Sequence, residues 1–285
     1  MELLAPYLLQ IENGIKELNL SEKPVNLYEP FRYVLSIGGK RIRPTLTLIA
    51  CEICEGNKNH ALHAALAVEL FHNFTLVHDD IMDNAPIRRN RPTVHEQWNR
   101  NIAILTGDVM LVKAYEQINK LPHALIPEAF ALFNKTASQI CEGQQMDMDF
   151  EDRIDVQMED YVEMIRLKTA VLLGCALQLG SLCSATPTAN GEHLYQFGVT
   201  MGMAFQVKDD FLDAYGEVEK FGKLKGGDII ANKKTFLFLK FMEKASDIDK
   251  REMLNLYSHE RVPEALKVKR VLELFAVYSI DKEMK

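Results

Sequence analysis

No stretch of the 285 residues stays apolar for anything near the roughly 18 positions that a membrane span requires, so no transmembrane segment is expected. The opening Met1-Glu2-Leu3-Leu4-Ala5-Pro6 lacks a basic run followed by an apolar one, so no secretory leader is expected either. Five cysteines are few and odd in number. That argues against a disulfide framework and for a reducing, cytoplasmic setting. Basic residues (33) fall short of acidic ones (40), for a net charge of −7, which argues against nucleic acid as a partner. Sustained period-two alternation bounded by hairpin signals is missing, so no strand is predicted. No Gly, Pro or Ser tract is long enough to act as an interdomain linker.

What remains is apolar residues at helical spacing. Leu62, Leu66, Leu70, Phe74 and Val77 predict a helix over 62–82. Ile102, Leu105, Val109, Val112 and Ile118 predict another over 102–118, and Val162, Ile165, Leu172, Ala176 and Leu179 a third over 161–179. Gly38-Gly39 is placed to close one helix and Pro44 to sit in the first turn of the next. Pro86 and Pro92 bracket a basic loop, and 186–191 and 216–227 read as loops. The expected architecture is all-α, a single large helical bundle making one domain over residues 1–285.

Two acidic clusters stand out. Asp79-Asp80-Ile81-Met82-Asp83 ends the first of these helices, and Asp209-Asp210-Phe211-Leu212-Asp213 lies in another apolar helix. In each, the first and last aspartates are i and i+4 and share a face. Like charges at that spacing oppose the helix unless a cation offsets them. A solvated helix end would explain either cluster alone; the repeat on two apolar helices points instead to Mg²⁺, a hard cation that bridges carboxylates to phosphate oxygens.

Basic groups accompany them. Lys40, Arg41 and Arg43 lie at a predicted helix start, where backbone N–H groups also favour anions. Arg88 and Arg89 follow the first cluster in a loop, Lys168-Thr169 lies mid-helix, and Gln206 stands three residues before Asp209. Lys223, Lys225, Lys233 and Lys234 follow the second cluster. The inference is a metal-mediated diphosphate site and a second anion site that needs no metal.

In this order and spacing the motifs resemble the trans-isoprenyl diphosphate synthases, or polyprenyl synthetases, of the short-chain farnesyl and geranylgeranyl type. The resemblance runs from about residue 35 to 240 and rests on Gly38-Gly39-Lys40-Arg41-Ile42-Arg43-Pro44, the two aspartate motifs and Leu105-Thr106-Gly107-Asp108. It also rests on Gly143-Gln144 with Asp147, Lys168-Thr169, Phe205-Gln206, and Gly222-Lys223 with Gly226 and Asp228. It implies helices around a central cavity, a homodimer, and three Mg²⁺ per active site. Asp79, Asp83 and Asp209 would ligate metal, supported by Asp80, Asp210 and Asp213. Arg88, Lys168, Thr169, Gln206, Lys223 and Lys233 would contact the allylic diphosphate (dimethylallyl, geranyl or farnesyl). Lys40, Arg43, His72 and Arg89 would hold isopentenyl diphosphate. Asn232 departs from the glycine that many bacterial relatives carry before the lysine.

Product length becomes a question of depth below Asp79. Phe71, Phe74 and Thr75 lie four to eight residues back, so a ring there would stop growth early, at C15 or C20. The same phenylalanines would serve equally as core. Two alternatives stay open: a terpene cyclase of the same fold, against which the all-aspartate second motif and the 38–44 segment count, and a catalytically silent partner subunit. Cys51-Glu52-Ile53-Cys54 reads as small residues on a helix face. His60 and His63 lack the further ligands of a zinc site.

Overall fold

The apolar spacings above become helices in the computed structural model, which describes residues 2–184, 189–216, 226–258 and 262–283. They are α1 (Ala5–Lys16), α2 (Val25–Ser36), α3 (Ile42–Ile53), α4 (Lys58–Met82), α5 (Val94–Gln97), α6 (Arg100–Ile118), α7 (Ile126–Asp152) and α8 (Met158–Ile165). There follow α9 (Val171–Leu182), α10 (Ala189–Tyr215), α11 (Gly227–Ile230), α12 (Phe236–Lys244), α13 (Asp247–Leu256) and α14 (Glu264–Val277). An all-α fold is thus what the chain adopts. The only β-structure among the described residues is a hairpin of β1 (Ile87–Arg88) and β2 (Arg91–Pro92), paired antiparallel. It corrects the expectation of a plain loop between Pro86 and Pro92. Arg89 and Asn90 at its tip both have positive φ, 52° and 61°, the geometry that matches a hairpin's twist.

A second correction concerns residues 161–179, predicted as one helix. A π-turn over Arg166–Ala170 interrupts it between α8 and α9. The 186–191 loop is shorter than expected, since α10 begins at Ala189. Most of the predicted 216–227 loop, with Gly222, Lys223 and Lys225, lies outside the described residues.

The chain divides into two compact units, Met1–Thr136 with Leu172–Gly198, and Ala137–Val171 with Val199–Lys285. In the first, α4 packs on α3 and α6. Every residue from Ala64 to Phe71 is buried, so α4 is a central helix; its alanines let neighbours approach closely. Phe31, Leu70, Phe71, Met110, Ile118, Phe133 and Leu179 fill this core. In the second unit Tyr161, Leu237, Phe238, Phe241, Met253, Val271, Leu274 and Phe275 form one apolar cluster. The C-terminal residues, which carry no readable motif, supply much of it.

Candidate active site

Asp79 and Asp80 occupy the last turn of α4, and Asp83 caps it, its amide bonded to the Asp79 carbonyl at 2.9 Å. The three carboxylates differ. Asp80 is 5% exposed and is gripped by Arg88, whose Nε and Nη2 both lie 2.7 Å from Oδ1. Burial pushes the Asp80 carboxyl up while Arg88 pulls it back. Arg88 Nη2 also lies 3.7 Å from Asp79 Oδ2. Asp79 is half-buried and Asp83 exposed. The hairpin therefore folds Arg88 back over the end of α4, beside Asp79 and Asp80.

A basic patch forms in the same unit. Arg43, in the first turn of α3, places Nη1 3.2 Å from Nε2 of His72 on α4. Burial, then Arg43 and Arg89, hold the His72 pKa well below the ordinary imidazole range. The ring is neutral at pH 7, so Nε2 accepts from Arg43. Arg43 is itself lowered to about 10 by burial and by Arg89, and its Nε is buried with no hydrogen-bond partner among the described residues. Arg89 is lowered too, by burial and by Arg41 and Arg88. Cations whose charge is disfavoured in this way are relieved by a bound anion. Gly39 admits Arg89: a Cβ there would lie 2.6 Å from Arg89 Nη1. Lys40 is exposed at the edge of this segment. Arg41, predicted with the anion-facing group, instead turns inward to Glu69 (2.5 Å), Glu12 (2.8 Å) and the Leu35 carbonyl (2.9 Å). Asn73 donates to the same Glu69 oxygen at 2.9 Å.

The second unit builds its site around α10 and the π-turn. The Thr169 hydroxyl donates to Gln206 Oε1 at 3.0 Å, and Gln206 Nε2 donates to Asp210 Oδ1 at 2.9 Å. Tyr161 donates to Asp210 Oδ2 at 2.7 Å. Burial pushes Asp210 up to about 6 against these donors. Asp213 accepts from the Asp228 amide at 3.0 Å, fixing the start of α11. Asp209 and Asp213 are both half-buried, while Asp210 is buried. Lys168 and Lys233 both donate to Asp147 Oδ2, at 2.6 and 2.9 Å. Burial would raise the Asp147 carboxyl, but the two lysines outweigh it and hold it below the usual range.

Asp147, Tyr161 and Glu69 are the residues whose role sequence reasoning missed. Only Asp147 left a signal, as part of a motif; Tyr161 reaches Asp210 across 49 positions. Of the chain-length residues, Phe71 is buried against Phe133, with ring centroids 5.2 Å apart. Phe74 is half-buried, edge-on to His78, and Thr75 bonds back to the His72 carbonyl.

The donor set of each motif suits Mg²⁺, since aspartate carboxylates are hard oxygen ligands. Among the described residues no three acidic, imidazole or thiol groups converge into a cage that would hold a metal unaided. A cation here would share its coordination with a phosphate-bearing substrate and water. No described helix is long and apolar enough to cross a membrane.

Comparison with known proteins gives this chemistry its context. A family model described as polyprenyl synthetase matches residues 24–275. The short chain isoprenyl diphosphate synthase of Methanothermobacter thermautotrophicus is 37% identical over 257 residues, covering 90% of this chain and 79% of its own. The geranylgeranyl diphosphate synthase of Methanosarcina mazei is 39% identical over 241 residues, covering 84% and 74%. A crystal structure of geranylgeranyl pyrophosphate synthase superposes with a TM-score of 0.91 at 40% identity, over 99% of this chain and 86% of that one. Fold and site thus define an all-α prenyltransferase of short-chain isoprenoid synthesis. The chain belongs to the polyprenyl synthetase family, whose members are generally Mg²⁺-dependent.

Proposed function

We propose that the protein condenses isopentenyl diphosphate with an allylic diphosphate and releases a C20 prenyl diphosphate, with C15 as the second reading. The observation that carries this is a basic patch at Arg43, His72 and Arg89, together with aspartates at Asp79 and Asp83 in the same unit and at Asp209 in the other. The first suits a diphosphate that must stay intact; the second suits one that must leave. C20 is favoured by the names of the relatives at 39–40% identity.

In this reading Asp79, Asp83 and Asp209 hold Mg²⁺, three ions per site. Bound Mg²⁺ would neutralise the charge that develops on the departing diphosphate. Lys168 and Lys233 supply positive charge to the same group, joined by Lys223 from outside the described residues. Thr169 and Gln206 orient it. Asp80, Asp210 and Asp213 support these ligands, held by Arg88, by Tyr161 and Gln206, and by the Asp228 amide at the start of α11. Breaking the allylic C–O bond leaves a carbocation. The double bond of isopentenyl diphosphate attacks it to form the new C–C bond, and the departing diphosphate takes the proton lost. Arg43, Arg89 and Lys40 keep the second substrate in place.

The full 285 residues serve as one catalytic domain in the cytoplasm. The enzyme works as a homodimer: exposed Ile104, Leu105 and Val112 on α6 and Phe130 on α7 are apolar surface for a second copy to cover. The test of activity is incubation with Mg²⁺, isopentenyl diphosphate and each of the C5, C10 and C15 allylic diphosphates. Chromatography of the dephosphorylated products should give geranylgeraniol. Farnesol as the end product would establish the second reading, and no condensation product would overturn the enzyme assignment.

A further inference from the structure

Two buried lysines have no part in the site described so far. Lys267, on α14, and Lys234 are each 6% exposed. A buried ammonium is costly unless hydrogen-bonded, and both find their partners on one turn. Lys267 Nζ donates to the Asn232 side-chain Oδ1 and to the Ile230 carbonyl, the latter at 3.2 Å. Lys234 Nζ donates to the Asn232 carbonyl at 3.1 Å and to the Glu151 carbonyl at 2.9 Å. Beneath them lies the Tyr257 ring, its centroid 5.0 Å from Lys267 and 5.6 Å from Lys234, a favourable cation–π distance. Burial and the adjacent Lys234 lower the Lys267 pKa to about 8, so its charge depends on these acceptors.

Asn232 itself has φ of 60°. Asparagine enters this left-handed region more readily than most residues but still at a cost. Its side-chain and main-chain oxygens are held from two directions. The next residue is Lys233, whose amide bonds to the Asp228 carbonyl at 2.9 Å. The Lys233 ammonium lies 2.9 Å from Asp147 and 3.0 Å from Glu151.

The geometry points to Lys267 as a positioning residue: by tethering Asn232 in its left-handed turn, the C-terminal helix fixes the direction in which Lys233 leaves the backbone, and so its place beside Lys168 on Asp147. The effect on turnover rests on the prenyltransferase reading above, in which Lys233 contacts the allylic diphosphate; the effect on Lys233 itself does not.

The test compares the full-length wild type with Lys267→Met and Asn232→Gly. Glycine keeps the turn and removes only the tether, so this variant keeps the test decisive if the buried lysine change fails to fold. Competitive acetylation with acetic anhydride, read by mass spectrometry, reports the freedom of Lys233, with exposed Lys269 as reference. Lys233 should label about tenfold faster in both variants, the order of coupling expected between contacting groups. With an allylic diphosphate, kcat should fall about tenfold, the double variant falling no further than either single one, while KM for isopentenyl diphosphate stays unchanged. Unchanged Lys233 labelling in the folded variants overturns the proposal. Faster labelling with unchanged kcat overturns its catalytic consequence. If wild type forms no prenyl product, the enzyme reading fails, and the labelling still decides whether Lys267 positions Lys233.

Discussion

His72 shows how far a residue's role can be read from spacing. Two turns before Asp79, its place on the face of α4 was legible in the sequence; its charge state was not, because that depends on Arg43 and Arg89 arriving from other elements. Its lowered pKa has a definite consequence. The unfolded chain binds a proton as pH falls below about 6.5, while the folded imidazole resists it, so the stability this residue contributes is present above that pH and is lost as pH falls toward the folded value. His72→Gln keeps an acceptor for Arg43 and removes the titration. The wild-type melting temperature should therefore drop more steeply than the variant's below about pH 6.5. Parallel curves would assign the proton to another group. Asp147 is the opposite case, a motif residue with no role until the fold brought Lys168 and Lys233 to one of its oxygens. Asp147→Asn leaves two ammonium groups without their shared counterion. A loss of about 3 kcal/mol in urea unfolding is expected for breaking a pair this buried, with kcat reduced about a hundredfold.

At the scale of elements, the spacing of three and four located the helices over 62–82 and 102–118, because an apolar stripe is a property of neighbouring residues. It failed at 166–170, where the π-turn is imposed by tertiary contacts. The extra residue in that turn sends Lys168 toward Asp147 and Thr169 toward Gln206, on different helices; such bulges recur at functional sites. Gly143 makes room for it. A Cβ at this position would lie 2.3 Å from the Lys168 backbone nitrogen and 2.8 Å from the Leu167 carbonyl carbon, and backbone cannot give way as a flexible side chain does. Gly143→Ala should destabilise by about 1–3 kcal/mol, the cost of overpacking. It should also lower turnover by displacing Lys168 and Thr169. A urea midpoint within error of wild type would refute the close-approach argument. The hairpin at 87–92 escaped notice for another reason: two-residue strands are too short for alternation to register, and Arg89 and Asn90 replace the usual Asn-Gly turn signal.

For the whole molecule, a net charge of −7 gave no hint that the substrates are anions, because the binding charges are local. The two inferred modes differ in what they need. The patch at Arg43 and Arg89 is positive and needs no cation to attract an anion; the aspartates repel a diphosphate until Mg²⁺ is present. Inorganic diphosphate alone should therefore stabilise the protein modestly, through the patch. Adding Mg²⁺ should add a second increment through Asp79 and its partners. At ligand a hundredfold above its dissociation constant, each site contributes about 2.7 kcal/mol. In a chain of this size that raises the melting temperature by roughly 5 °C. Asp79→Ala should abolish turnover and remove the Mg²⁺-dependent increment while sparing the other. Arg43→Gln should do the reverse, removing the metal-free shift and leaving the response to added Mg²⁺. If one substitution eliminated both increments without lowering the unliganded melting temperature, the two diphosphate sites would be one, and the division of labour between basic patch and aspartates would fall.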